Sequence, residues 1–323
     1  MKNIINEYYD PLLTNRGFLP VENKGDFCVM GKCWELSDSI GTGQYWIYEQ
    51  KNLYCIKIHD FSFHEDKIVE MSVPRCLSIT YYESISGEEL IPYNRLEANC
   101  VKTFIGGDKP FKANIHKRIP IYSTGIEIFP SYYEEYLEKH YLGEYKSPYD
   151  AFQSIDETDD FPEMVMLLMQ IKNYRGEGIA AKLFYDAKVT EAVALVVERQ
   201  RKQDSQKQIT LSAKDKELLL SVTAYIDDHY AFDITLDQLS KIACMGTTKL
   251  KTSFKLLHGC TITKYIQHRR MSKAEYLLSC TDLTINQIAQ TVGYNSASRF
   301  SELFRKSTGI LPNEYRIIAS GNR

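Results

Sequence analysis

Residues 236–259 read LDQLSKIACMGTTKLKTSFKLLHG and residues 285–309 read INQIAQTVGYNSASRFSELFRKSTG; the second stretch repeats the first with a period of 49 to 50 residues. Leu239, Ala243 and Met245 match Ile288, Val292 and Tyr294 at an offset of 49. One residue is then added in the turn, so that Leu250, Phe254 and Gly259 match Phe300, Phe304 and Gly309 at 50. Each copy predicts a short apolar helix, a tight turn and a second helix ended by Gly. In copy two Ile285, Ile288, Ala289 and Val292 form one stripe, and Gly293 supplies the permissive backbone of the turn. The expected unit is a helix-turn-helix, present twice.

The periodicity also divides each second helix into two faces. Leu250, Phe254 and Leu257 are expected inside in copy one, leaving Thr248, Lys251, Thr252 and Lys255 outside. In copy two Phe300, Leu303 and Phe304 face inward, and Ser298, Ser301, Glu302 and Arg305 face outward. Both outward faces are polar, short-chained or basic. Between the copies, TITKYIQHRRMSKAEYLLSC (261–280) predicts a connecting helix of about 17 residues, about 26 Å long. A rod of that length can hold two recognition helices about 34 Å apart, in successive major grooves on one side of a duplex.

Charge agrees with this placement. The 323 residues sum to a net charge of −3, but residues 213–318 hold 14 Lys+Arg against 10 Asp+Glu, whereas residues 1–212 hold 24 against 32. A basic C-terminal third on an acidic body is the pattern expected if only that third meets a polyanion. With 44% apolar and 25% charged residues and no apolar run of about 18, the chain is expected to be a soluble protein without a membrane partner. MKNIINEYYDPLL lacks the apolar core of a secretory signal, and the expected location is the cytoplasm. Eight scattered cysteines form neither a CxxC pair nor a Cys/His cluster, so no metal site, cofactor or disulfide framework is expected.

The N-terminal body has a different grain. From about 27 to 130, short runs rich in Tyr, Ile and Val alternate with turn residues, as in QYWIYEQ (44–50), LYCIKIHDF (53–61), CLSITYYES (76–84) and IPIYSTGIEIF (119–129). These predict a β-sandwich or barrel. Three helical stretches follow, at 131–141, 162–174 and 178–200, and the polar stretch that follows reads as a linker over 201–212. The fold class is therefore α+β, with a sheet-and-helix domain at 1–200 and an all-α double helix-turn-helix domain at 213–323.

IAQTVGYNSASRFSELFRKSTGILPNEYR (288–316) resembles the AraC/XylS family of bacterial transcription regulators, with that family's A-x-x-V-G-Y turn, F-x-x-x-F helix and closing G-x-x-P-x-x-Y-R. The resemblance spans 215–318. It implies base-facing positions at Thr248, Lys251 and Thr252, and at Ala297, Ser298, Ser301 and Glu302. Gly246 stands where the family usually has a Ser N-cap, and Thr252 and Glu302 where Arg is frequent. The family further implies an N-terminal cupin-like barrel that binds an effector and forms a homodimer, and an activator that works on RNA polymerase at double-stranded promoter DNA. MGTTKLKTSFKLLHG (245–259) and AKLFYDAKVTEAVALVVERQ (181–200) are similar to siderophore-responsive regulators of the pyochelin and yersiniabactin type, which implies an iron-siderophore effector.

In the barrel, Trp46, Tyr54, Arg75 and Tyr81 are the expected effector contacts, since an interior lined by aromatic rings and one Arg suits a planar, oxygen-bearing ligand. His59 and His64 lack the H-x-H spacing by which two strand histidines share a metal, and are read as surface or loop residues. No nucleophile elbow, phosphate loop or HExxH is present, so the chain is expected not to be an enzyme. Two other readings stay open: a cupin-type metal-dependent enzyme, and a co-regulatory protein that does not bind DNA.

Overall fold

The computed structural model describes residues 3–23, 26–91, 93–107, 110–141, 148–154, 161–204 and 211–320. The chain divides into two compact units, Met1–Ser205 and Gln206–Arg323.

In the first unit a wide helical turn, Ile5–Tyr9, runs into α1 (Asp10–Thr14). Eleven strands follow among the described residues: β1 (Phe18–Val21), β2 (Lys32–Leu36), β3 (Gly41–Gln50), β4 (Tyr54–Phe63), β5 (Lys67–Met71), β6 (Leu77–Ser84), β7 (Gly87–Leu90), β8 (Tyr93–Leu96), β9 (Cys100–Ile105), β10 (Phe111–Ile115) and β11 (Ile121–Ile128). They make a seven-stranded sheet in the order β1-β2-β3-β4-β11-β6-β9 and a four-stranded sheet in the order β5-β10-β7-β8. Neither sheet closes among the described residues, so two open antiparallel sheets stand where a closed cupin-like barrel was expected. Alternation along a strand shows which residues share a face; it does not show whether the outer strands meet.

A second wide turn, Ser131–Tyr136, leads into α2 (Leu137–His140), followed by α3 (Tyr149–Ser154), α4 (Pro162–Asn173) and α5 (Gly178–Asp204). The short α3 has no counterpart among the expected helices. Helix α5 continues four residues into the segment expected to be linker, and residues 205–210 lie outside the described residues.

Both faces of the large sheet are buried. Trp46, Tyr54, Ile56, Ile79, Ile126 and Ile128 pack with Leu167 and Leu168 of α4 and Tyr185 and Val189 of α5. On the other face Tyr45, Ile47, Phe61 and Phe63 pack with Ala113 and Ile115 of the small sheet and with Ile5, Tyr9 and Leu13 of the N-terminal segment. The unit is thus a layer of helices, a sheet, and a second sheet.

The second unit is all helix among the described residues: α6 (Ala213–His229), α7 (Leu236–Ile242), α8 (Thr247–His258), α9 (Ile262–Cys280), α10 (Ile285–Thr291), α11 (Ala297–Thr308) and α12 (Pro312–Ser320). Leu219, Val222 and Ile226 of α6 bury Leu239, Ala243, Leu250 and Phe254 of the first helix-turn-helix. In the second, Phe300, Phe304 and Tyr315 are buried, with the Phe304 and Tyr315 rings edge-on at 5.3 Å. Both first helices start with the same device. Thr235 and Gln238 cap α7 reciprocally, and Thr284 and Gln287, 49 residues on, do the same for α10.

Candidate nucleic-acid interface and interior cavity

The two turns place α8 and α11 with one face on the core and the other in solvent. Leu250 and Phe254 are fully buried and Leu257 is half-buried, while Thr248, Lys251, Thr252 and Lys255 are exposed. On α11 Phe300 and Phe304 are buried, Leu303 is half-buried, Ser298, Glu302 and Arg305 are exposed, and Ala297 and Ser301 are half-buried. The expected recognition residues therefore stand together on two open helix faces. Two hydroxyls are turned onto their own helices: Thr252 Oγ1 donates to the Thr248 carbonyl at 3.1 Å, and Ser301 Oγ to the Ala297 carbonyl at 2.8 Å. Each hydroxyl oxygen keeps lone pairs for an outside donor.

Helix α8 starts at Gly246 without a side-chain cap, whereas Ser296 at the matching start of α11 accepts from the Arg299 backbone amide at 3.3 Å. The helix is fixed to α6 through Lys249, paired with Asp215 at 2.9 Å, and through His258, whose Nε2 meets Thr223 Oγ1 at 2.7 Å. Burial lowers the His258 pKa, against the pull of Asp227. On α11 the exposed Arg299 pairs with Glu302 at 2.9 Å, a residue the sequence reading passed over although the i,i+3 spacing announces the contact.

One side chain of the connecting helix ties the pieces together. Arg270 of α9 donates to the carbonyls of Tyr230 (2.7 Å), Phe232 (3.1 Å) and Gly293 (2.8 Å), and its guanidinium lies 5.0 Å from the Tyr294 ring centroid. It thereby joins the loop before the first helix-turn-helix to the turn of the second. At 19 residues α9 is about 28 Å long, slightly longer than expected.

In the N-terminal unit the two sheets and the segment 8–18 enclose a cavity of about 150 Å³. Strands β4, β6, β9 and β11 send Lys57, His59, Ser78, Thr80, Tyr82, Lys102 and Glu127 into it, and the N-terminal segment adds Tyr8, Tyr9 and Arg16. Glu127 pairs with Lys57 and accepts from the Tyr9 hydroxyl; Lys102 pairs with Glu89. Burial alone would lower the Lys57 pKa, but Glu127 beside it holds it well above the usual value. His59 Nδ1 meets Ser123 Oγ at 2.9 Å and its ring lies 4.3 Å from that of Tyr45. Burial, then the Lys57 charge, pull its pKa down to about 3, so the imidazole is neutral at pH 7. The Nε2 of His59 and the Tyr8 hydroxyl are buried without a hydrogen-bond partner.

None of the four expected effector contacts lines this cavity. Trp46 and Tyr54 are buried on the helical side of the sheet, with Trp46 Nε1 donating to the Cys28 carbonyl at 2.9 Å and the Tyr54 hydroxyl to Asp186 of α5 at 2.6 Å. Tyr81 is half-buried on that side, its hydroxyl 3.4 Å from Asn99 Oδ1. Arg75 is exposed and paired with Glu134 at 2.7 Å. For Trp46 and Tyr81 the difference is one of parity, because Tyr45 and Tyr82, one residue away, are the ones facing the cavity. His59, expected at the surface or in a loop, is in a central strand and inside; His64 is exposed and meets the Asp38 carbonyl at 3.0 Å. Among the described residues no cluster of His, Cys, Asp or Glu could hold a metal, and no helix is long and apolar enough to cross a membrane.

Comparison with known proteins places the second unit. A family model described as a helix-turn-helix domain matches residues 239–317. The bifunctional transcriptional activator/DNA repair enzyme AdaA of Bacillus subtilis is 34% identical over 102 residues, 32% of this chain and 48% of AdaA. The arabinose operon regulatory protein of Escherichia coli is 33% identical over 95 residues, 28% of this chain and 32% of that protein. Among solved structures, the C-terminal domain of AraT, a response regulator from Geobacillus stearothermophilus, is 31% identical, covers 33% of this chain and 87% of its own, and superposes with a TM-score of 0.30. The chain thus matches less than half the length of these curated relatives. Residues 239–317, whose two turns and four short helices surround α9, are a helix-turn-helix domain of the AraC type.

Proposed function

We propose that the chain is a sequence-specific DNA-binding transcriptional regulator, an activator, that works in the cytoplasm and is controlled by a small molecule held between the two sheets of its N-terminal unit. The observation that carries this is the pair of open helix faces. Thr248, Lys251, Thr252 and Lys255 on α8, and Ala297, Ser298, Ser301, Glu302 and Arg305 on α11, enter successive major grooves of double-stranded DNA. The basic balance of residues 213–318 supplies the phosphate attraction. RNA polymerase is the partner on which an activator acts. No catalytic step is assigned to the chain.

A homodimer is supported by α5, on which Ile179, Leu183 and Val197 are exposed. Sedimentation of the full chain as a monomer at high micromolar concentration would remove that part. For the effector, the cavity favours a guest smaller than a ferric siderophore, since sites for drug-sized ligands enclose about 300–1,000 Å³ and this one about 150 Å³. Ferric and iron-free siderophores are therefore titrated against Trp34 and Trp46 fluorescence, and saturable quenching by the ferric form alone would restore the siderophore.

The deciding experiment is a gel shift of the full chain on the duplex upstream of its own gene. Retardation that survives competitor DNA and weakens with salt is expected. Binding that is equal on random duplex, or none, overturns the assignment.

A further inference from the structure

The outward faces of α8 and α11 differ in what they offer a base. On α8 the exposed charges of that face are cations, Lys251 and Lys255, beside the hydroxyls of Thr248 and Thr252. On α11 an acid stands in the middle of the face: Glu302 is exposed, about one turn after Ser298 and one turn before Arg305. Phe300 and Phe304 are buried on the opposite side of the helix, so Glu302 stands where α11 meets whatever docks on it.

The phosphates of any duplex that α11 enters repel a carboxylate at that place. Arg299 offsets the repulsion: its Nη1 donates to Glu302 Oε2 at 2.9 Å, and its backbone amide is tied to Ser296 Oγ at 3.3 Å. An exposed i,i+3 pair adds little stability. Its consequence lies in charge and aim, since the pair is neutral as a unit and the carboxylate is held over one place on the face.

Hydrogen-bond chemistry then selects the base. A carboxylate is acceptor-only, and it has more acceptor sites than a single Arg contact uses. In the major groove guanine presents O6 and N7 and thymine presents O4, all of them acceptors; cytosine presents its N4 amine alone, and adenine its N6 amine beside the acceptor N7. Cytosine therefore matches the carboxylate, adenine matches it with one acceptor turned against it, and guanine and thymine repel it. Ser298 and Ser301 carry hydroxyls that can donate or accept and impose no such rule.

We infer that Glu302 reads a cytosine, accepting from its N4 amine, at one base pair of the half-site that α11 enters, with Arg299 as the positioning residue that neutralises and aims it. This rests on the regulator reading above and gives one position of the operator a base. The preference belongs to the α11 half-site alone, because the α8 face has no acid among Thr248, Lys251, Thr252 and Lys255.

The test is selection by the full chain from a pool of duplexes with a randomised centre, repeated with Glu302→Gln, Glu302→Ala, Arg299→Met and Lys251→Ala. The wild type is expected to enrich a motif with a fixed C. Glu302→Gln should turn that C into A, because an amide pairs with adenine N6 and N7. Glu302→Ala should leave the position without preference, Arg299→Met should weaken the preference, and Lys251→Ala should leave it unaltered. Fluorescence anisotropy on the enriched duplex, with that pair replaced in turn, should rank C above A and A above T and G, with about tenfold between C and T. Ratios between duplexes cancel any change in affinity common to all of them, including the change from freeing Arg299. A motif that Glu302→Gln enriches unaltered, or a base other than C at the position that changes, overturns the inference and leaves the regulator reading standing. A preference for C undiminished in Arg299→Met overturns the positioning role. A wild-type chain that enriches no motif overturns the regulator reading and the base assignment with it.

Discussion

Cys244 and Gly293 occupy the same place in the two helix-turn-helix copies, 49 residues apart, and both have left-handed backbone, with φ of 49° and 89°. A side chain is strained there, so Cys244→Gly is expected to raise stability by about 0.5–1 kcal/mol. Gly293 has a second constraint, because a Cβ would sit 2.4 Å from the Ala231 carbonyl oxygen. Gly293→Ala should therefore cost about 2 kcal/mol or more. Urea unfolding of both variants checks the pair, and equal effects of the same sign would contradict it.

Gly246 has open space where a Cβ would stand and already has the extended backbone of an N-cap. Gly246→Ser is expected to stabilise α8 by a few tenths of a kcal/mol, and Ser296→Ala to weaken α11 by about 1 kcal/mol. Thermal unfolding measures both.

On DNA, Lys251→Ala and Ser301→Ala should each cost about 1–3 kcal/mol at particular base pairs. Phe304→Ala should instead unfold the second unit, at about 3–5 kcal/mol, because that ring is fully buried. Glu302→Gln removes the partner of Arg299 and should tighten binding to any duplex, with a salt dependence steeper by about one phosphate contact. Fluorescence anisotropy at several salt concentrations distinguishes these outcomes. A loss that is equal on specific and random DNA would make Lys251 a phosphate contact.

His59 gives the N-terminal unit a pH dependence. Its folded pKa of about 3 lies below the unfolded value near 6.5, so the unfolded chain takes up the proton first as pH falls. Its contribution is complete above pH 6.5 and is lost progressively toward pH 3, amounting to about 2–3 kcal/mol by pH 4. His59→Gln should flatten that part of the curve.

The second unit was legible because its signals are local. Repeat, glycine turn and capping residues each act within about four positions, and Thr235/Gln238 and Thr284/Gln287 carry the caps twice. The N-terminal unit was legible only strand by strand. Polar residues alternating along β4, β6 and β11, such as Lys57, His59, Ser78, Thr80 and Glu127, have the pattern of a solvent-facing side. They face a cavity because a second sheet, distant in sequence, covers them. The side that the aromatic residues single out as a pocket is where α4 and α5 pack. The part played by Tyr8 and Arg16 had no local signal at all, since it depends on the N-terminal segment folding across strands that follow it by 40 or more residues.

If α8 and α11 read DNA as proposed above, Arg270, by holding carbonyls on both sides of α9, makes them one bivalent ligand instead of two weak ones. Once α8 or α11 has docked, the other meets its groove intramolecularly, at an effective concentration fixed by a stiff tether. A stiff tether gains its full avidity at one separation and none at others. The spacing between half-sites is therefore written into α9, and inserting half a helical turn between them, about five base pairs, would leave this protein gripping DNA with one hand.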